Sequence, residues 1–446
     1  MVRRAGCGVQ DRYGRLGDGI DAKEPEPFSY DRDYVVLLSD WTDENPTRVL
    51  AKLKKQSDYY NQHKRTVGDF IDDVSEMGWS AAVADRKMWA EMKMSPTDLA
   101  DVSGYTYTYL MNGQAPDGNW TGIFKPGEKI RLRFINASAM TYFDVRIPGL
   151  KMTVVAADGL HVKPVSVDEF RIAVAETYDV IIEPDSEQAY TVFAQSMDRT
   201  GYARGTLAVQ EGLSAPVPSP DPRPLIAMGD MGMDHGSMGG MDHGNMAGMD
   251  HGSMAGMDHG SMQGGMAGMA GAMQAHPASE TNNPLVDMQT MTPTHKLDDP
   301  GIGLRDNGRR VLTYSDLRST FLDPDGREPS RTIELHLTGH MEKFSWSFDG
   351  IKFSDAEPLR LKYGERVRIT LVNDTMMTHP IHLHGMWSDL EDANGNFLVR
   401  KHTIDMPPGS KRSYRVTADA LGRWAYHCHL LLHMEMGMFR EVRVDE

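Results

Sequence analysis

Two segments of this chain repeat each other. Residues 127–136 read GEKIRLRFIN and residues 364–373 read GERVRITLVN, a constant offset of 237. An Asn112-Gly113 pair lies 14 residues before the first, and an Asp349-Gly350 pair lies 14 residues before the second. In both, apolar and charged residues alternate, as Val367, Ile369 and Leu371 do against Arg366, Arg368 and Thr370. That period of two belongs to a strand with one face buried. The spacing therefore predicts two copies of one β fold, each a sandwich or barrel.

The rest of the chain fits around that duplication. Residues 31–38, DRDYVVLL, read as a strand. From 46 to about 102 the period becomes helical: Val49, Leu50 and Leu53, then Phe70, Ile71, Val74 and Met77. Ser95-Pro96-Thr97-Asp98 reads as a helix start with proline at the first helical position. This predicts a helical insert in the first β domain. Met88, Met92 and Met94 in it are read as core packing. Turn pairs at Pro126-Gly127, Pro148-Gly149 and Asp158-Gly159 punctuate the strands that follow.

Between the copies, residues 228–273 are low in complexity and carry MDHGSM or MDHGNM at 233, 241, 249 and 257, a period of eight. Frequent glycine and few large apolar side chains other than methionine predict a disordered linker. At roughly 150 residues per domain, 446 residues accommodate the parts. They are an atypical segment 1–24, a β domain with the insert over 25–212, a Met/His-rich linker over 213–300 and a second β domain over 301–446.

Acidic residues outnumber basic ones 63 to 47, for a net charge of −16, with no basic cluster. Nucleic acid is thereby excluded as a partner. No apolar run reaches the roughly 18 residues of a membrane span. The arginines near the amino terminus lack a following apolar core, so no secretory signal is read there. Two cysteines, Cys7 and Cys428, are too few for a disulfide framework. Methionine (32) and histidine (17) are concentrated in the repeats and near the carboxy terminus, which points to metal.

The densest chemistry lies in His427-Cys428-His429, followed by His433 and Met438 at successive steps of five from Cys428. Thiolate, imidazole and thioether on one loop, with a second imidazole from elsewhere, form the ligand set of a blue-copper site. His379 is the expected second imidazole. Zinc gives Met438 no role, so copper is favoured. The pairs His382-Leu383-His384 and His427-Cys428-His429 each aim two imidazoles to one face of a strand and the middle residue to the other. Cys428 would then serve one centre while its neighbours serve another. The repeat supplies a control: at the offset of 237, His379, His382 and His384 correspond to Tyr142, Val145 and Ile147. The fold itself does not require those histidines.

THPIHLHGMW (378–387) and HCHLLLHMEMGM (427–438) resemble the two carboxy-terminal copper motifs of the multicopper oxidases. The MDHGSM blocks and KEPEPFSYDRDYVVLLSDWTDENP (23–46) make the likeness closest to the periplasmic copper-resistance type of that family. The resemblance implies tandem cupredoxin-like, Greek-key β-sandwich domains, mainly β. It implies a type 1 copper on His379, Cys428, His433 and Met438, a type 2 copper on His382, and a type 3 pair on His384, His427 and His429. Dioxygen would be reduced to water there with Cu(I), and phenols, as electron donors. It also implies a periplasmic address and other copper-resistance proteins as partners.

The family places four further cluster histidines, as two His-x-His pairs, in an amino-terminal cupredoxin domain. This sequence has no His-x-His before 382, and its first histidine is His63. The expectation is therefore half a trinuclear site, with a truncated or frame-shifted gene as the explanation. A copper-binding, electron-accepting module without oxidase turnover is the alternative.

In the tract, Met233, His235, Met238, Met241, His243, Met246, Met249, His251, Met254, Met257, His259 and Met262 are read as low-affinity copper ligands, since thioether suits Cu(I) and imidazole suits both oxidation states. A plain flexible linker is the alternative. Met376, Met377, Met386, Met434 and Met436 read equally as a Cu(I) path or as apolar interface lining. Asp389, Glu391 and Asp392, before Asn394-Gly395, are expected at a solvated hairpin end.

Overall fold

The structure, a computed structural model, describes residues 26–233 and 273–446. Each copy of the repeat builds eleven strands in two sheets. Counted in chain order within a copy, one sheet runs 2-1-4-9-6-7 and the other 3-11-10-5-8, identically in both. The molecule is mainly β, two Greek-key sandwiches of cupredoxin type. The repeated segments are the fourth strands, Ile130–Asn136 and Arg366–Asn373, each parallel to the first strand of its own copy, Arg32–Trp41 or Thr332–His340. Ile130, Leu132 and Phe134 in one copy, and Val367, Ile369 and Leu371 in the other, are wholly or almost wholly buried.

The Asn112-Gly113 and Asp349-Gly350 pairs close tight turns with both residues at positive φ, 52° and 77° in one copy and 54° and 70° in the other. That geometry favours Asn or Asp followed by Gly. The turns are pinned alike: Asn112 Oδ1 accepts from the Leu37 amide at 2.7 Å, and Asp349 Oδ1 from the His336 amide at 2.8 Å.

The helical insert comprises α1 (Pro46–Lys55), α2 (Val67–Met77) and α3 (Trp79–Glu91). Asn45 caps α1, and Thr66 and Asp69 form a capping box on α2. Val49 and Leu53 of α1 and Trp89 of α3 are buried, but α2 buries nothing, leaving Ile71 and Met77 exposed. No helix starts at Ser95. The Asp98 amide closes a single turn onto the Ser95 carbonyl at 3.1 Å, and the chain then carries Asp98 and Asp101 into the interior. A helix would have kept those carboxylates on one exposed face. Met88, Met92 and Met94 do pack on the core.

Asp389 and Glu391 depart from expectation. Both are buried, and arginines of neighbouring strands neutralise them: Arg400 on Asp389 at 2.7 Å, and Arg368 and Arg415 on Glu391 at 2.7 and 2.5 Å. Alternation marks which face a charge lies on, not whether a partner covers that face.

Inside 213–300, the described stretches pack against the body: Met228, Met231, Glu280 and Thr290 are buried. The beginning of 301–446 lies on the first domain, through bridges of Glu169 with Val311 and of Val162 with Ser319. Between the sandwiches, fully buried Lys401 sits 3.0 Å from Asp158 and 3.2 Å from Glu176. Tyr142 donates to Asp405 at 2.8 Å across the same seam.

Candidate metal centre

His379 opens the strand His379–Leu383, and Cys428 ends the adjacent antiparallel strand Gly422–Cys428. His433 lies on the short helix α4 (Leu431–Glu435), and Met438 immediately precedes the last strand, Phe439–Asp445. Two backbone hydrogen bonds close this loop: Cys428 amide to Met438 carbonyl and Met438 amide to His433 carbonyl, both 3.1 Å. His379, Cys428, His433 and Met438 are all fully buried. Cys428 Sγ stands 3.6 Å from His379 Nδ1 and 3.9 Å from His433 Nδ1, and the two Nδ1 atoms are 3.1 Å apart.

Hydrogen bonds behind the rings fix which nitrogens face inward. His433 Nε2 lies 2.8 Å from Asp101 Oδ2, and a carboxylate only accepts, so Nε2 carries the proton. His379 Nε2 lies 2.7 Å from Thr375 Oγ1, whose single hydrogen is directed to Asn373 Oδ1 or the Met377 carbonyl. The hydroxyl therefore accepts from His379 as well. Both rings therefore turn Nδ1 inward, toward each other, where a proton shared between the two nitrogens or a cation in its place is needed to offset their lone-pair repulsion. Burial holds His379 well below the usual histidine range, keeping that lone pair free, and burial pushes the Cys428 thiol up, so the sulfur ionises only beside a cation. Trp346 stacks on His433, with ring centroids 4.0 Å apart. The donor set fits a copper ion of the trigonal His₂Cys kind.

Four more imidazoles gather on the other face of the same strand pair. Register places His382 opposite His427, one step from Ile381 opposite Cys428. His384 Nε2 and His427 Nε2 are 3.0 Å apart, and the His382 ring lies 5.9 Å from those of both His427 and His429. His382 Nδ1 donates to the His402 carbonyl at 2.6 Å, fixing Nε2 as its donor atom to a metal. His429 Nδ1 is buried with no partner. Burial lowers His427 to about 4 and His429 to about 3, so these rings are neutral ligands at ordinary pH.

The first copy gives the structural control. Its strand register pairs Val145 with Ala194 and Asp144 with Gln195, so Ala194 and Gln195 occupy the places of His427 and Cys428. Gln195 is engaged with Asp221 at 2.7 and 2.9 Å.

Seven of the eight predicted ligands from His379 to Met438 thus gather in two groups about one strand pair, and Met438, buried, closes the same loop through its backbone. Of the tract, Met233 is half-buried against the core, whereas His235, Met238, Met241, His243, Met246, Met249, His251, Met254, Met257, His259 and Met262 lie outside the described residues. Met376, Met377 and Met386 are buried in the core, and Met434 and Met436 are half-buried. Reading the sequence missed Asp101, Thr375, Trp346 and His402, whose ring is 5.4 Å from that of His382. None stands in a motif; only Thr375, four residues before His379, was findable by proximity.

Multicopper oxidase domain families match residues 32–212 and 326–446. The chain belongs to the multicopper oxidase family. Membership makes it an oxidoreductase of a family whose cofactor is copper and whose acceptor is dioxygen. Within the family it is of the copper resistance protein A type. It is 76% identical over 445 residues to the copper resistance protein A homolog of Pseudomonas syringae pv. tomato, covering 98% of this chain and 75% of that protein. To copper resistance protein A of Escherichia coli it is 74% identical over 462 residues, covering 98% and 76%. Among solved structures, Fet3p, a multicopper oxidase that functions in iron import, shares the fold with a TM-score of 0.57 at 15% identity, over 95% of this chain and 68% of that one. No helix among the described residues is long and apolar enough to cross a membrane.

Proposed function

We propose that this chain acts in copper resistance by oxidising Cu(I), and phenols as a further substrate class, in the periplasm. His379, Cys428, His433 and Met438 hold the type 1 copper, His382 the type 2 copper, and His384, His427 and His429 the type 3 pair. The observation that carries this reading is the back-to-back placement of Cys428 Sγ, 3.6 Å from His379 Nδ1, and of the His427 and His429 rings on the opposite face. Bound at these two groups, copper would supply one-electron oxidation on the thiolate side and dioxygen reduction on the imidazole side.

The protein's own residues prepare both sides. Asp101 and Thr375 hold the protons of His433 and His379 away from the sulfur, and Trp346 shields the pair from water. The covalent path from Cys428 Sγ through the backbone to His427 and His429 joins the groups. Half-buried Met434 and Met436 offer soft sulfur to incoming Cu(I), and the MDHGSM tract raises its local concentration.

A copper-binding module without turnover is the second reading, favoured because the first copy carries Tyr142, Val145, Ile147, Ala194 and Gln195 where the second carries ligands. Metal analysis and oxygen uptake separate the two. About four tightly held coppers beyond the tract, with oxygen consumed on adding Cu(I), support the oxidase. One copper and no oxygen uptake overturn it in favour of the module.

A further inference from the structure

A second gathering of metal-binding side chains lies apart from Cys428. His276, Glu280, His336 and Asp374 bring one ligand atom each to within 4.8 Å of all the others. His336 Nδ1 is 2.6 Å from Asp374 Oδ2 and 3.7 Å from Glu280 Oε1. His276 Nδ1 is 3.2 Å from Asp374 Oδ2 and 3.2 Å from Glu280 Oε2. Donors held at about 2.0–2.2 Å from one ion stand roughly 3 to 4 Å from one another, and these contacts run from 2.6 to 3.7 Å.

The hydrogen bonds around the cluster orient its donors, and one buried carboxylate oxygen is left over. His276 Nε2 faces the Thr290 carbonyl at 3.0 Å, and His336 Nε2 faces Glu334 Oε1 at 3.4 Å. Both acceptors take an N–H from Nε2, so each Nδ1 faces the carboxylate oxygens either through a second ring proton or, in place of that proton, through a cation. Partners behind each ring, a backbone carbonyl and a carboxylate, are those that orient metal-bound histidines. Glu280 is buried, and its Oε1 has no hydrogen-bond partner. Asp374 Oδ1 is fixed by the Thr290 amide at 2.7 Å and Glu280 Oε2 by Gln289 at 2.9 Å, so the carboxylates are held in place.

We infer that His276, Glu280, His336 and Asp374 form a second metal site, one that takes a divalent copper ion. Two carboxylates balance a double charge, and an N₂O₂ set without sulfur suits Cu(II) rather than Cu(I). Among divalent first-row ions Cu(II) binds such donors most tightly. The His276 side chain keeps 15% of its surface exposed, which gives an ion a way in, and His276 follows the methionine-rich tract by three residues. A pair of imidazolium–carboxylate contacts is the rival explanation of the same geometry.

The test uses the full chain. In crystals soaked with Cu(II), an anomalous peak at the copper edge is expected among the four side chains, and its absence overturns the site. In solution, the double variant Glu280→Gln/His336→Gln is expected to retain one Cu(II) fewer than the unaltered protein. It should also lose a tetragonal paramagnetic signal with imidazole nitrogen coupling. Equal copper content and equal spectra overturn the site. Because the soak uses the unaltered protein, a variant that fails to fold leaves the question decidable. Neither readout depends on copper at Cys428.

Discussion

His433 and Asp101, 332 positions apart, meet through a 2.8 Å hydrogen bond that ties a ligand of the second sandwich to a carboxylate delivered by the insert of the first. Asp101→Ala removes the acceptor that keeps the proton on Nε2. Copper affinity at Cys428 is expected to fall about 10- to 100-fold, as for other partners behind metal-bound histidines. Chelator competition measures the loss; Asp101→Asn keeps an oxygen acceptor and should lose less.

Cys428→Ser replaces the soft donor with a buried hydroxyl. The expected outcome is loss of the intense blue absorption and a stability decrease of about 1–3 kcal/mol in the metal-free protein. Visible spectra and urea melts read the two effects. Survival of the colour would overturn the assignment of Cys428.

Gly339 pairs with Trp346 across the hairpin, and a Cβ there would lie 2.6 Å from the indole ring. Gly339→Ala is expected to push Trp346 off His433, with an overpacking cost of about 1–3 kcal/mol and a shifted copper spectrum. A melt without spectral change would show that the stacking does not reach the metal.

Lys401 is fully buried between Asp158 and Glu176 at the seam of the two sandwiches. Lys401→Met leaves two buried carboxylates without their cation, which costs about 3–5 kcal/mol. The urea midpoint should drop accordingly, and a midpoint left in place would mean the pair is relieved by water.

Lys296 gives a pH signature. Burial lowers it, against the opposing pull of Asp230 and Asp299, to about 8 from an ordinary 10.5. Between those values the unfolded chain holds more protons than the folded one, so stability rises with pH. Relative to Lys296→Met, the unaltered protein should gain stability from pH 8 to 10; a constant difference across that window would contradict the lowered value.

The doubled sandwich was legible because strand alternation and the Asn-Gly and Asp-Gly turns are local signals, and both copies kept them at one offset. The ligand loop was legible for the same reason: Cys428, His433 and Met438 are spaced by a short helix and its closing hydrogen bonds. Asp101 was not legible, because its role exists only once the insert has docked. Asp389 and Glu391 were misplaced because the arginines that bury them belong to other strands. The four ligands His276, Glu280, His336 and Asp374 escaped notice since no regular spacing joins them across 98 residues, 276 to 374. Ser95-Pro96 carried a sound local helix signal that the interior position of Asp98 and Asp101 overrode.

The backbone ring joining Cys428, His433 and Met438 is closed by two of its own hydrogen bonds and also moored outside itself, the His429 amide on the Pro380 carbonyl at 2.7 Å and the Leu431 amide on the Ala139 carbonyl of the first sandwich at 3.0 Å. The ligand loop is thus a bridge between the two halves of the duplication, and a change of its length would disturb the seam together with the metal.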